Sequence, residues 1–257
     1  MPTLRLDVEY DGERFAGWAA QPERRTVEGV LRDALRTVLR TEPLDVRVAG
    51  RTDAGVSASG QVVSVRVGDD VDAGRLLRAL NGTLPADVAV RALTHAPHGF
   101  DARADATARA YEYRILAGPP SPLRRRRVLR VSWALDVAAM REAAALVVGR
   151  HDFRAFTPTK TEHVFFDRTV MRCAWVERGD ELVLEIEADA FLRHMVRVLV
   201  GTMLMVGRGR WEVSRVARLL DGAPRSEAGP TAPAHPLTLV AVRYPSVSAE
   251  SGILPPR

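Results

Sequence analysis

The chain has 257 residues, of which 46% are hydrophobic and 27% charged, the composition of a globular protein with a sizeable core. Its net charge of +5 favours an anionic partner, and its single cysteine excludes a disulfide framework and a thiolate metal cage. No apolar signal segment follows Met1, and the most apolar stretch, residues 196–206, is too short to cross a bilayer. We therefore expect a cytoplasmic protein without membrane contact.

The first 95 residues predict a compact set of alternating elements. Apolar and charged residues alternate over 4–10, which indicates a half-buried strand. Thr26 is a candidate N-cap for a helix whose apolar residues recur at helical spacing over 27–39. Further predicted elements are two strands on either side of the segment 49–58, a helix over 72–80 and a strand over 88–93. This order is that of the split ferredoxin-like unit, β-α-β-β-α-β.

The second half repeats the order. Its predicted elements are a strand over 111–115, a helix from the N-cap Asp136 to a stop at Gly149, a hairpin of strands 169–176 and 182–187, a long helix over about 191–206 and a strand over 237–242. Three segments are additions to this repeated order: the loop 119–127, a short helix over 212–220 and a tail. We expect the tail, residues 247–257, to be disordered.

These elements predict an α+β fold. Two tandem ferredoxin-like units would form one extended, mostly antiparallel sheet, with helices on one face and an open face for a ligand. The predicted domains are residues 1–104 and 105–246, followed by the tail 247–257.

The segment Ala49-Gly50-Arg51-Thr52-Asp53-Ala54-Gly55-Val56-Ser57-Ala58 places one carboxylate in a tight loop between two strands. Glycines on both sides let the backbone bend and approach a ligand closely. Arg51 lies two residues before Asp53, so extended backbone would point both side chains the same way. Such a cation favours the ionised carboxylate and can also hold a phosphate. On their own, the four residues 52–55 are more typical of a structural turn or a helix cap than of a catalytic site.

The whole decapeptide closely resembles the active-site loop of the TruA-type tRNA pseudouridine synthases. Other blocks resemble the same family in the same order, so the resemblance covers nearly the whole chain. These blocks are Glu9-Tyr10-Asp11-Gly12, Phe15-Ala16-Gly17-Trp18, Arg109-Ala110-Tyr111-Glu112-Tyr113, Phe191-Leu192-Arg193-His194-Met195-Val196-Arg197 and Pro230-Thr231-Ala232. The resemblance implies that Asp53 is the essential catalytic residue and that the open face of the sheet is an RNA-binding cleft.

The resemblance also assigns the other site residues. Arg197 corresponds to the family arginine that forms an ion pair with the catalytic carboxylate, and we expect Arg193 to share its helical face at i−4. Tyr111 corresponds to the tyrosine that stacks on uracil and assists proton transfer at C5. Leu239, in the last predicted strand, would line the base pocket or, as is usual for an apolar strand residue, pack in the core. Outside the resemblance, Arg197 could be a solvated helix arginine and Tyr111 an ordinary strand aromatic.

Three arginines beside the catalytic blocks are the candidates for RNA binding: Arg51, Arg103 and Arg109. The run Arg124–Arg127 is either an RNA-binding loop or solvated surface. The chain departs from the family at Ser57, where the family usually has His, and at Ala19, where it usually has Gln. Both departures concern RNA contacts.

The implied activity is isomerisation of uridine to pseudouridine at positions 38 to 40 of the tRNA anticodon arm by a homodimer. The reaction breaks the bond from C1′ to N1 and joins C1′ to C5, so it needs no metal and no cofactor. The carboxylate attacks either C1′ of the ribose or C6 of the base, and the sequence leaves both mechanisms open. The alternatives are a related synthase acting on another RNA and a non-catalytic RNA-binding module; the presence of Asp53, Tyr111 and Arg197 favours an enzyme.

Overall fold

A computed structural model describes residues 2–41, 44–68, 71–161 and 163–245. The predicted tail, residues 247–257, lies outside the described residues. The chain divides into two compact units. Unit 1 contains the described residues of Met1–Thr107 and of Leu239–Arg257, and unit 2 is Ala108–Thr238. The predicted division fell after residue 104 and assigned the last strand to the second unit.

Unit 1 contains the β-α-β-β-α-β order that the sequence predicts. Its elements are β1 (Thr3–Tyr10), α1 (Val27–Leu39), β2 (Leu44–Val48), β3 (Ser57–Arg66), α2 (Ala73–Thr83) and β4 (Val88–His95). Strand β1 lies between β3 and β4 and is antiparallel to both, and β2 pairs with β3. The segment that contains Asp53 therefore connects two neighbouring strands.

Helix α1 begins where its predicted cap, Thr26, places it, and α2 begins one residue after the predicted start, with Asp72 as its cap. The Thr26 side chain accepts a hydrogen bond from the Gly29 N–H at 3.2 Å, and the Asp72 side chain accepts one from the Arg75 N–H at 2.7 Å. On α1 the fully buried Leu31 and Leu35 lie one turn apart, so this face packs into the core.

Unit 2 adds two short strands to the predicted order. Its elements are β5 (Ala108–Ala117), β6 (Leu129–Val131), α3 (Val137–Leu146), β7 (Gly149–Asp152), β8 (Asp167–Arg178), β9 (Glu181–Ala188), α4 (Met195–Gly207) and α5 (Ser214–Leu219), and β10 (Leu237–Arg243) begins in it. The strand order is β5-β9-β8-β7, and β6 pairs in parallel with β5. The α+β class and the mostly antiparallel pairing of the strands are confirmed within each unit.

Helix α4 begins four residues later than predicted. His194 has a backbone φ of 61°, in the left-handed region, so the helical turn cannot include it. Arg193 therefore lies before the helix, and the expected i−4 relation between Arg193 and Arg197 is wrong.

Helix α4 covers one face of the unit 2 sheet. Tyr113, Leu184 and Trp175 are cross-strand partners on β5, β9 and β8, so their side chains share a face. The Trp175 indole N–H points to the Met203 Sδ on α4 at 3.2 Å. Because side chains alternate along a strand, Tyr111 lies on this same face.

No helix in the described parts of the chain is both long enough and apolar enough to cross a membrane.

Candidate active site

Asp53 lies at a tight turn between β2 and β3. Its carbonyl oxygen accepts a hydrogen bond from the Val56 N–H at 3.1 Å, which closes the turn. Gly55 follows with a positive φ of 79°, a conformation that costs glycine least. The side chain of Asp53 is half-buried, whereas Arg51 is exposed and Thr52 is buried. A carboxylate held on a closed turn, with one side open, can reach a substrate without moving the backbone.

The turn after β1 packs directly on this loop. The Trp18 N–H donates to the Thr52 carbonyl at 3.1 Å. Gly17, which has a φ of 101°, lies so close to the loop that a Cβ on it would be 2.9 Å from the Thr52 carbonyl oxygen. A Cβ on Gly12 would lie 2.1 Å from the Val56 carbonyl oxygen. The two segments that the sequence singled out separately thus form one packed structure.

Ser57, one of the two departures from the family pattern, has a structural contact in this chain. It is buried, and its hydroxyl accepts a hydrogen bond from the Gly12 N–H at 3.1 Å. This hydroxyl therefore ties the first residue of β3 to the turn after β1. The other departure, Ala19, is half-buried in that turn region.

A buried amide that the sequence motifs do not single out also supports the loop. Gln61, in β3, hydrogen-bonds to the backbone of Gly50 and to the hydroxyl of Tyr10, which in turn bonds to Thr52. The available signal was a polar amide beside Gly60 in a valine-rich strand, a position where a buried polar group needs partners.

In unit 2, Tyr111 is a nearly buried residue of β5, 8% exposed. Its ring meets the ring of Phe191 edge-on, with centroids 5.1 Å apart and planes at 87°. Arg109 lies two residues earlier on the same strand and donates from Nη1 to the Asp189 carbonyl at 2.8 Å. Both predicted residues of β5 are therefore held by the segment that leads into α4.

Arg197 is half-buried on the first turn of α4. Its Nε donates to the Ala232 carbonyl at 2.8 Å, and the Ala232 N–H donates to the Arg197 carbonyl at 3.1 Å. The positive charge also acts on Tyr113: burial raises the pKa of this phenol, and Arg197 opposes the rise. A guanidinium fixed through Nε keeps its terminal nitrogens in a defined direction, which is what pairing with a carboxylate requires.

The Pro-Thr-Ala loop is packed closely on α4. A Cβ on Gly201 would lie 1.8 Å from the Pro230 carbonyl oxygen, and the Thr202 hydroxyl accepts a hydrogen bond from the Gly229 N–H at 3.0 Å. Glycine at 201 is therefore a packing requirement. The sequence motifs around Arg197 and Pro230 meet because this loop lies along the helix.

The remaining predicted residues lie in unit 1. Arg103 is exposed in a turn, where its N–H donates to the Asp101 carboxylate at 2.8 Å. Leu239 is fully buried in β10, and its role in a base pocket stays a prediction. Asp53 lies in unit 1, whereas Tyr111 and Arg197 lie in unit 2, and the predicted ion pair between Asp53 and Arg197 stays a prediction as well.

Arg124 differs from the rest of the basic loop. It pairs with Asp180 at 2.6 Å and with Glu181 at 3.2 Å, and the hydrogen bonding that it donates to Asp180 raises the pKa of Arg124 further. It belongs to a series of ion pairs across unit 2 that also contains Glu112, Arg114, Arg172, Arg178 and Glu185. Its charge is thus balanced locally, while Arg125, Arg126 and Arg127 are exposed.

Comparison with known proteins defines the class of protein. A family model described as tRNA pseudouridine synthase matches residues 8–103 and 143–245, two ranges that include Asp53 and Arg197. The chain therefore belongs to the tRNA pseudouridine synthase family, and the family that the sequence motifs predicted is confirmed.

Curated relatives resemble the chain over most of its length. The tRNA pseudouridine synthase A of Frankia casuarinae is 49% identical over 245 residues, which cover 94% of this chain and 89% of the relative. The protein of the same name from Streptomyces griseus is 45% identical over 251 residues, covering 95% and 88%. That from Chloroflexus aurantiacus is 44% identical over 253 residues, covering 95% and 90%.

Proposed function

We propose that this isomerase converts uridine to pseudouridine at positions 38 to 40 in the anticodon arm of tRNA, with Asp53 as the catalytic carboxylate. Membership of the tRNA pseudouridine synthase family supports the reaction and the class of substrate. The observation that carries the assignment of Asp53 is its half-buried carboxylate, on a turn whose neighbouring backbone is packed against Gly12 and Gly17. Preorganised catalytic groups of this kind need little rearrangement when substrate binds.

The chemistry needs a nucleophile but no outside reactant. The C1′–N1 bond breaks, the C1′–C5 bond forms, C5 loses its hydrogen and N1 gains one, so atoms and electrons balance within the nucleotide. Asp53 attacks either C1′ or C6 and is released unchanged at the end. The target uridine must leave its stack before either carbon can be reached.

Arg197 and Tyr111 complete the proposed site. The terminal nitrogens of Arg197 would pair with the Asp53 carboxylate, since Nε is bonded to Ala232. The ring of Tyr111 would hold the detached uracil, and the edge contact from Phe191 supports a fixed ring plane. An oriented aromatic face keeps the base in place while it turns from N1 to C5.

The tRNA would be bound in an open cleft by exposed arginines, chiefly Arg51 and Arg103, with Arg109 beside Tyr111. We further propose a cytoplasmic homodimer. Val164 and Phe165, which precede β8, are 78% and 79% exposed. Large exposed apolar side chains favour association with a second copy.

Position mapping tests the proposal. Unmodified tRNA transcripts with uridine at 38, 39 or 40 are incubated with the enzyme, and pseudouridine is located at single-nucleotide resolution. Matched transcripts with cytidine at these positions are the control. Pseudouridine at 38 to 40 alone supports the proposal. Modification elsewhere in tRNA, or only in another RNA, would overturn the assigned positions, and no modification of any RNA would overturn the catalytic assignment.

A further inference from the structure

Gln61 is a fully buried polar residue in the middle of β3, with no exposed side-chain surface. Its Nε2 donates to the Gly50 carbonyl at 2.7 Å and to the Tyr10 hydroxyl at 3.4 Å. Its Oε1 accepts from the Gly50 N–H at 3.4 Å and from the Val62 N–H at 3.2 Å. All four hydrogen-bonding positions of the amide are therefore used, two of them on the backbone N–H and C=O of Gly50, in the loop that carries Asp53.

Tyr10 extends this network to the residue next to Asp53. Its hydroxyl lies 2.7 Å from the Thr52 Oγ1, and both residues are nearly buried, 3% and 7% exposed. Burial raises the pKa of Tyr10 to about 12, so the phenol keeps its proton, and this hydrogen bond, through the neutral range.

The backbone carbonyl of Thr52 is hydrogen-bonded as well as its side chain. The Thr52 carbonyl accepts the Trp18 N–H at 3.1 Å, while the Thr52 side chain bonds to Tyr10. Residues 50 and 52 are thus fixed by partners from β1, β3 and the turn after β1. Asp53 follows directly, so any shift of Thr52 moves the carboxylate.

We propose that Gln61, together with Tyr10 and Thr52, is a positioning set that holds the Asp53 carboxylate in its reactive orientation. None of the three side chains needs to contact the substrate. The inference rests on the proposed function, because it takes Asp53 to be the catalytic residue. It predicts that kcat depends on these hydrogen bonds, whereas KM for tRNA does not.

Two pairs of variants test the proposal on the full-length enzyme. Gln61→Met keeps the length of the side chain but removes all four hydrogen bonds. Thr52→Val keeps the shape of the side chain but removes its hydroxyl, and Thr52→Ser retains the hydroxyl as the rescue variant. The control is Asn81→Leu: Asn81 forms the same kind of amide-to-backbone pair, with Val90 at 2.8 and 2.9 Å, but ties α2 to β4 away from the loop.

The turnover number kcat and KM are measured with the tRNA substrate. Each kcat is corrected for the fraction of folded protein, which is obtained from thermal unfolding. We expect kcat to fall about 10- to 100-fold in Gln61→Met and Thr52→Val with KM unchanged, since a displaced catalytic group can cost about 100-fold. Thr52→Ser should retain most of the activity, and Asn81→Leu should lose stability without losing kcat.

Wild-type kcat in folded Gln61→Met and Thr52→Val would overturn the positioning role. An equal loss of kcat in Asn81→Leu would also overturn it, because the effect would then be one of general stability. Asp53→Asn, measured in parallel, separates this inference from the proposed function. If Asp53→Asn is inactive while Gln61→Met keeps full activity, the positioning role is refuted but the catalytic assignment stands. If Asp53→Asn is active, the catalytic assignment itself is refuted.

Discussion

Arg197 and Ala232 are joined by two hydrogen bonds in opposite directions, from the Arg197 Nε to the Ala232 carbonyl at 2.8 Å and from the Ala232 N–H to the Arg197 carbonyl at 3.1 Å. The first fixes the side chain and the second fixes the backbone. The Pro-Thr-Ala loop therefore orients the guanidinium, which explains why two motifs far apart in the sequence belong to one structure.

Replacing Arg197 by Met should lower kcat strongly, by about 100-fold or more, with a smaller change in KM. The substitution keeps the helix propensity but removes the cation that would hold the Asp53 carboxylate in place. The measurement is kcat at saturating tRNA, with KM measured in parallel. Arg193→Met, which removes an exposed arginine before α4, is the control and should keep wild-type kcat. A wild-type kcat in Arg197→Met would show that the two residues do not act together.

Gly201→Ala should destabilise the protein by about 1–3 kcal/mol, the typical cost of overpacking. The added Cβ would lie 1.8 Å from the Pro230 carbonyl oxygen, so the loop must move away from α4. Gly82→Ala, in α2, is the matched control because nothing lies within 4 Å of its Cβ. It should stabilise the helix by about 0.5–1 kcal/mol. The free energy of unfolding of both variants is measured by chemical denaturation. Equal changes in the two variants would contradict the close approach of Gly201 to the Pro230 carbonyl.

The basic loop should contribute to tRNA binding chiefly through its exposed side chains, those of Arg125, Arg126 and Arg127. The Arg124 side chain is half-buried and held by Asp180 and Glu181, whereas the other three are exposed and therefore more accessible to phosphate. Changing all three to Gln should raise KM, leave kcat at saturating tRNA unchanged and lower the log–log salt slope by roughly 0.7 to 0.9 per lost phosphate contact. Arg124→Gln is the comparison. A larger change of slope in Arg124→Gln than in the triple variant would contradict this reading of the loop.

Asp87 should make the stability of unit 1 sensitive to acid. Its carboxylate accepts hydrogen bonds from both terminal nitrogens of Arg25, at 2.8 and 2.7 Å. These hydrogen bonds hold the pKa of Asp87 below its ordinary value, although burial acts to raise it. A lowered folded-state pKa stabilises the fold above the unfolded pKa of about 4, and that stability is lost as the pH falls through the folded value.

Asp87→Asn should therefore reduce the free energy of unfolding at pH 7 by about 1 kcal/mol or less, as is usual for a partly exposed pair. The unfolding free energies of variant and wild type should converge toward about pH 2, where the carboxyl of Asp87 is neutral. A difference that stays constant between pH 7 and pH 2 would show that the Arg25 contact does not depend on the charge of Asp87.

Much of the fold follows from local signals in the sequence. Thr26 and Asp136 each cap the helix that they predict, and the hairpin turns at Gly179, which has a φ of 63°. Strands β6 and β7 were missed because three or four residues are too few for an alternating pattern to be seen. Gly149, expected only to stop a helix, opens β7 instead.

Other features depend on contacts that no local pattern contains. The start of α4 is set by the left-handed backbone of His194, which hydrophobic periodicity does not detect. The motif around Asp53 identified the carboxylate and Arg51, but the support from Gln61 and Tyr10 depends on which strands become neighbours. Likewise, the pairing of Arg124 with Asp180 depends on the folded position of the β8–β9 hairpin.

The most direct measurement of the central claim is the turnover of Asp53→Asn. Asparagine keeps the shape of the side chain but can act neither as a nucleophile nor as a base at C1′ or C6. Tritium release from tRNA that carries 5-³H-uridine reports the reaction, since C5 loses its hydrogen when it joins C1′. We predict no release above the enzyme-free background, with the unfolding midpoint and the affinity for tRNA close to those of the wild type. Measurable turnover in this variant would contradict the assignment of Asp53 as the catalytic residue.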